Sequence, residues 1–289
     1  MAVYEQTYRR YQGALTPAWS RFLILPRYSF QEVFKSRIFL SFFLVCFLAP
    51  LVGLILVYLR HNLSALSLFN ISGEEFREAL PISYRFFHMG LGIQGFLCFV
   101  LAFFVAPALV APDLRNNGLP LYLSRPFSRA EYVLGKLMVL VALLSAITWI
   151  PGLLLFLFQA YLEGTPWLRQ NGGIAWAVFA ASWSWILVLS LVSLAISAWV
   201  KWKPLARVAL LGVFFILSGF AAALNQARDV WWGNLVSVWS MINVTWASLF
   251  QQPIEDGTPV AVAWLMLGIF CALCLWLLSI RIRAYEVVR

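Results

Sequence analysis

Charge is what this chain has least of. Only 11% of its 289 residues are Asp, Glu, Lys or Arg, 12 of them acids, and there are 2 histidines besides. Catalysis on peptide or lipid bonds needs converging acids, bases or metal ligands, and there is no H-E-x-x-H, no G-x-S-x-G and no pair of intramembrane aspartates. The phosphate-cradling G-x-x-x-x-G-K-[ST] loop is also missing, so the chain does not hold ATP in that way. His61 and His88 stand 27 positions apart, without ligand spacing. Cysteine is scarce too: Cys46, Cys98, Cys271 and Cys274 all fall inside apolar runs. The C-x-x-C of Cys271 and Cys274 would occupy one helical turn inside lipid, a poor redox site. Internal repeats and low-complexity tracts are absent, and the first 37 residues are polar and basic instead of carrying the apolar core of a cleavable signal peptide.

What is abundant is apolar surface. Hydrophobic residues make up 62% of the chain and the mean hydropathy is +0.83, the range of multi-span membrane proteins. A spanning helix needs roughly 20 mostly apolar residues. Ile38 to Leu59, His88 to Ala111, Val133 to Tyr161, Ile174 to Val200, Leu205 to Leu224 and Val260 to Ile280 each qualify. The sequence therefore predicts an all-α integral membrane protein with six transmembrane helices in one domain, 1–289.

Basic residues set the orientation, because Lys and Arg are retained on the cytoplasmic side. Sixteen of the 21 fall on one side of a six-span layout: six before the first span, then Arg115, Arg125, Arg129 and Lys136, then Lys201, Lys203 and Arg207, then Arg281, Arg283 and Arg289. Both termini are expected in the cytoplasm of a cell (inner) membrane protein. The net charge of +9 fits anionic inner-leaflet lipid and calls for no nucleic acid.

Three segments outside the spans carry pattern. In the N-terminal stretch 1–37, "RYSFQEVFKSR" places Phe30, Val33 and Phe34 on one face and Arg27, Gln31 and Lys35 elsewhere, predicting an interfacial helix that Pro26 separates from "AWSRFLIL". Between Arg60 and Phe87, Ser72 and Glu75 form a capping box for a short helix. Asn62, Asn70 and Asn243 each begin an N-x-S/T triplet, a pattern that arises often by chance. The stretch 225–259 holds 21 uncharged residues, "VWWGNLVSVWSMINVTWASLF", yet Asn234, Asn243 and Thr245 interrupt it. Trp231, Trp232, Trp239 and Trp246 suit rings at headgroup depth, so the expectation is an outer re-entrant helical hairpin before span 6.

The most informative segment is 112–132. Asp113 can cap a short turn, Asn116, Asn117, Gly118 and Pro120 break any long helix, and Ser128 with Glu131 makes a capping box for the third span. Leu114, Leu119, Leu121, Tyr122 and Leu123 need a covering surface, with Arg115, Arg125 and Arg129 around the rim. The run "PDLRNNGLPLYLSRPFSRAEYVLGKL" resembles the cytoplasmic signature of type-2 export permeases, the membrane subunits of ATP-binding cassette transporters. The likeness passes through Asp113, Leu123, Ser124, Arg125, Pro126, Ser128, Arg129, Tyr132, Gly135 and Lys136.

That resemblance implies a cytoplasmic coupling helix between spans 2 and 3, seated in a separate ATPase subunit through Asp113, Leu114, Arg115, Leu119, Tyr122, Leu123, Ser124, Arg125, Pro126 and Arg129. It implies no catalytic, cofactor or metal site on this chain, ATP and Mg being held by the partner ATPase. A second permease copy, or a similar permease, would complete the pore. The cargo would be hydrophobic, amphipathic or lipid-linked, since the spans offer no fixed charge. The alternative is an ATPase-coupled membrane scaffold or mechanical signalling module that moves no substrate.

Overall fold

The computed structural model describes residues 23–62, 73–110, 113, 129–200, 202–228, 230–254 and 257–281. No strand occurs among them. Six helices are long and apolar enough to cross a membrane: α2 (Arg37–His61), α4 (Tyr84–Leu109), α5 (Ala130–Glu163), α6 (Thr165–Trp199), α7 (Lys203–Arg228) and α9 (Val260–Arg281). Three shorter helices accompany them: α1 (Ile24–Phe34), α3 (Gly73–Ala79) and α8 (Val238–Leu249). The chain is thus an all-helical protein of the multi-pass kind.

Helix α6 is the hub. Of its most apolar window 72% is buried, against 11% for α2 and 17% for α7 and α9, so α6 is enclosed by its neighbours while those three lie outside. Its buried face is rich in small side chains, including Ala177, Ala181, Ser182, Ser190, Ser193, Ala195 and Ala198. Such residues let α4, α5 and α9 approach closely where lipid gives no hydrophobic drive. At 35 residues α6 is also long. At 1.5 Å per residue it measures about 52 Å, well beyond a ~30 Å hydrocarbon layer. The expected loop between spans 3 and 4 is accordingly absent. Helix α5 runs to Glu163, α6 starts at Thr165, and Gly164 alone turns the chain at φ +90°, a conformation open to glycine. Pro166 follows in the first turn of α6, where its missing N–H leaves no bond unmade.

Prolines mark the breaks. Helix α2 is interrupted between Val45 and Leu48. Pro50 explains this, because its ring excludes, and its nitrogen cannot serve, the carbonyl four residues back, that of Cys46. Gln94 of α4, buried, donates from Nε2 to the Cys46 carbonyl at 3.1 Å. In α5 the break falls at Thr148, ahead of Pro151. Thr148 compensates locally by donating its hydroxyl to the Leu144 carbonyl at 2.7 Å.

Helix α1 corrects one expectation. Pro26 lies inside the helix, in its first turn, instead of separating two segments. Its packed face is Leu25, Pro26 and Ser29, with Phe30 and Val33 partly buried, while Phe34 stays largely exposed. Phe34 meets Phe39 and Phe43 edge-on at 5.4 and 5.8 Å, which ties α1 to the start of α2. "AWSRFLIL" lies largely outside the described residues, as does Ser72 of the capping box, although α3 does begin at the next position.

After α7 the chain doubles back. Asn225 donates to Asn234 at 2.7 Å, and the Ser218 and Ser237 hydroxyls share a hydrogen bond of 2.8 Å. Pairing 225 with 234 and 218 with 237 means that residues 230–237, including a 3-10 turn at Trp232–Val236, run antiparallel to α7. Asn234 also donates to Thr258 Oγ1 at 3.1 Å, just before α9. Helix α8 then returns over 12 residues. That is about 18 Å, too short to cross ~30 Å of hydrocarbon.

The tryptophans of this segment divide. Trp231 and Trp232 are exposed, but Trp246 is 1% exposed and Trp239 half-buried. Trp246 donates to the Ala181 carbonyl of α6 at 3.0 Å, and Trp185 of α6 donates to the Gly95 carbonyl of α4 at 3.0 Å. Trp185 is the centre of a ring cluster, with Trp239, Phe214 and Trp246 at 5.4, 5.5 and 6.1 Å. Trp239 and Trp246 therefore serve as packing wedges between helices. Asn243 lies in α8 beside these wedges, and Thr245, its triplet partner, is buried and bonded to the Ile242 carbonyl.

Candidate functional site

The strip that the sequence singles out leaves α4 at Leu109 and enters the next helix at Arg129. Asp113 is described in full and Arg129 by its backbone, which opens the helix. Leu114, Arg115, Leu119, Tyr122, Leu123, Ser124, Arg125 and Pro126 lie outside the described residues.

Both edges of the strip are joined. Tyr132 donates its hydroxyl to Asp113 Oδ2 at 2.8 Å, and the Lys136 ammonium meets the same oxygen at 3.0 Å. Tyr132 and Lys136 are four apart on α5, hence one turn apart on one face, and the ammonium stands 5.8 Å from the centre of the Tyr132 ring. Tyr132 is 1% exposed and Lys136 7%. A buried lysine is tolerated only with a partner, and Asp113 supplies the counter-charge. Gly135, between them in sequence, is buried as well.

This constellation contains one residue of the sequence-derived set, Asp113, and two that the set left out. Tyr132 and Lys136 were visible as part of the "Y-x-x-G-K" pattern, and their one-turn spacing was a signal that they act together. The backbone amides just beyond Asp113, which the sequence offered as its capping partners, lie outside the described residues. What the three side chains do is mechanical: one carboxylate, fixed by two donors from one helix face, holds the chain leaving α4 against the first turns of α5.

Other polar clusters are smaller. At the opposite end of the bundle His61 Nε2 lies 3.4 Å from Glu163 Oε1, which also accepts from Gln159 at 3.3 Å. His88 instead lies against Phe250, the two rings tilted with their centres 5.4 Å apart. No group of three potential metal ligands occurs among the described residues. The four cysteines are free. Compared with known protein families and with curated proteins, the chain matches none.

Proposed function

We propose that this chain is the permease subunit of an ATP-binding cassette transporter, exporting a hydrophobic, amphipathic or lipid-linked substrate with energy from a separate ATPase chain. The observation that carries this reading is the Asp113, Tyr132 and Lys136 junction. The two ends of the segment 114–128 are fastened to each other by a largely buried charge pair, so a force applied to that segment reaches α4 and α5 together. A loop of mere connection needs no such fastening.

In this proposal the strip 112–132 is a cytoplasmic coupling helix seated in an ATPase groove, α1 is interfacial, and 225–259 is an outer re-entrant hairpin. Both termini face the cytoplasm across the inner membrane. ATP-driven closure of the ATPase draws the strips of two permease copies together and shifts the bundles between inward and outward arrangements. The exposed apolar sides of α2, α7 and α9 suit lipid and a second copy. An apolar cavity of about 280 Å³ between α2, α4 and α5, bordered by Pro50, Gly53, Gln94 and Gly152, is in keeping with an apolar cargo.

Leu119→Ala and Arg125→Lys test the proposal. Buried anchors carry most of an interface's energy, and an ammonium does not replace a guanidinium at a bidentate site. Both variants are expected to insert and dimerise normally but to co-purify less ATPase, or to turn over ATP without transport. Unchanged co-purification and coupled turnover in both would refute the strip as the transmission element. ATP turnover by the reconstituted complex that no candidate cargo stimulates would favour the scaffold reading.

A further inference from the structure

Next to the Asp113 junction, and sharing Lys136 with it, lies a cavity of about 400 Å³. It is lined by α1, the start of α2, the last turns of α4, the early turns of α5 and Arg207 near the start of α7. That volume falls in the range of small-ligand sites.

Its chemistry is divided. Arg207, the fifth residue of α7, enters with its guanidinium carbon 5.7 Å from the Phe103 ring and 5.6 Å from the Phe104 ring. Its Nε is buried without a hydrogen-bond partner, and no carboxylate pairs with it among the described residues. Lys136 is committed to Asp113 through one contact, which leaves two of its three N–H donors. Most of the remaining wall is apolar, with Phe39, Phe42 and Phe104 its rings, and Ser29 and Ser36 are the uncharged polar residues in it. Ile38, also on the wall, is 77% exposed, so the cavity is open sideways among apolar residues. Glu32 lines the rim and is exposed.

A soluble anion would satisfy the guanidinium and leave the phenylalanines wet. An apolar molecule would fill the wall and strip water from the terminal N–H groups of the guanidinium without replacing it, at a cost comparable to a lost charged hydrogen bond. An amphiphile meets both demands. Its polar end must be an anion small enough to lie between Arg207 and Lys136, and a planar fork of N–H groups favours phosphate oxygens. The depth agrees, since Arg207 lies about one turn and Lys136 about two turns from the start of its helix, near the end of the bundle, where headgroups reside in a spanning protein.

We propose that this cavity binds a phosphate-headed lipid, the phosphate seated on Arg207 with Lys136 beside it and the first methylenes of an acyl chain against Phe39, Phe42 and Phe104. The proposal rests on the membrane-spanning architecture and stands apart from the exporter reading. Its failure and the failure of that reading are separately measured.

The full chain, purified in a maltoside detergent and stripped of lipid, is titrated with phosphatidylglycerol, with diacylglycerol of the same chains, and with inorganic phosphate, each followed by native mass spectrometry. Phosphatidylglycerol is expected to bind at one per chain, and neither diacylglycerol nor inorganic phosphate at the same concentrations. Arg207→Gln should weaken binding about tenfold or more, and Arg207→Lys by less, because the charge remains while the fork is lost. Arg37→Gln, at the same end of the bundle but outside the cavity lining, should stay within about twofold of the parent chain. Equal binding of diacylglycerol, equal binding of inorganic phosphate, or equal losses in the Arg207 and Arg37 variants would overturn the site. Should Arg207→Gln fail to fold, a phosphatidylglycerol carrying a photoactivatable acyl chain decides on the unaltered chain. Labelling concentrated on 38–42 and 104–109 supports the proposal, and labelling spread evenly over all lipid-facing helices overturns it.

Discussion

Removing the Asp113 carboxylate should be the most informative single perturbation of the chain. The two side chains of the pair are 18% and 9% exposed, so solvent screens them little. At 3.0 Å two unit charges attract by about 5 kcal/mol in a medium of effective dielectric 20, and desolvation of both groups offsets much of this. Asp113→Ala leaves Lys136 charged and unmatched, and should cost about 3 kcal/mol, at the lower end for broken buried pairs because the cavity beside Lys136 admits some water. Lys136→Met leaves a carboxylate that keeps the Tyr132 hydroxyl and more contact with solvent, so about 2 kcal/mol is expected. In the double variant no charge is stranded, and the loss should be about 2 to 3 kcal/mol instead of the 5 that addition predicts. Denaturant unfolding of the four chains in one detergent, followed by tryptophan fluorescence, gives the cycle. Additivity to within about 0.5 kcal/mol would refute the pair as a fastening of α4 to α5.

Three further outcomes are expected. In Gly95→Ala a Cβ would lie 2.6 Å from Trp246 Cη2, so the wedge must shift; stability should fall by about 1 to 3 kcal/mol, and Trp246→Leu in the same chain should restore part of it. Gln94→Leu strands the Cys46 carbonyl and should cost about 1 to 2 kcal/mol by thermal unfolding, less in a Pro50→Ala background, where an N–H at position 50 takes over that carbonyl. Cysteine-accessibility labelling at positions near Gly257 and Arg289 should report opposite faces of the membrane, and labelling from one face would mean that 230–249 crosses it.

The number of long apolar helices was legible because length and hydropathy alone decide it. Their ends were not. Polar Arg169, Gln170 and Asn171 look like a loop, yet α6 overhangs the apolar layer, where polar residues continue a helix without penalty. Trp246 looked interfacial because an indole is amphipathic. Its burial depends on the Ala181 carbonyl and the missing side chain of Gly95, neither of which is its neighbour in sequence. The Tyr132 and Lys136 spacing was readable on one helix, but Asp113 joins them only once α4 and α5 are side by side. Arg207 passed as a loop charge that fixes orientation. Nothing local says that Phe103 and Phe104 of another helix flank it.

The doubled-back arm also constrains the order in which the chain is made. The turn leading into α8 is tethered twice, to α7 through Asn234 and Ser237 and, through the Asn234 contact with Thr258, to the start of α9, and the groove of α8 is built by α4 and α6. All earlier helices must be in the bilayer before that groove exists, and the second tether cannot be made until synthesis has passed residue 258. Trp246 therefore seats late, as a keystone does, and a nascent chain arrested before α9 should still present that indole to a lipid-soluble quencher. If the arrested chain already shields it, the groove alone captures the arm and the second tether is dispensable.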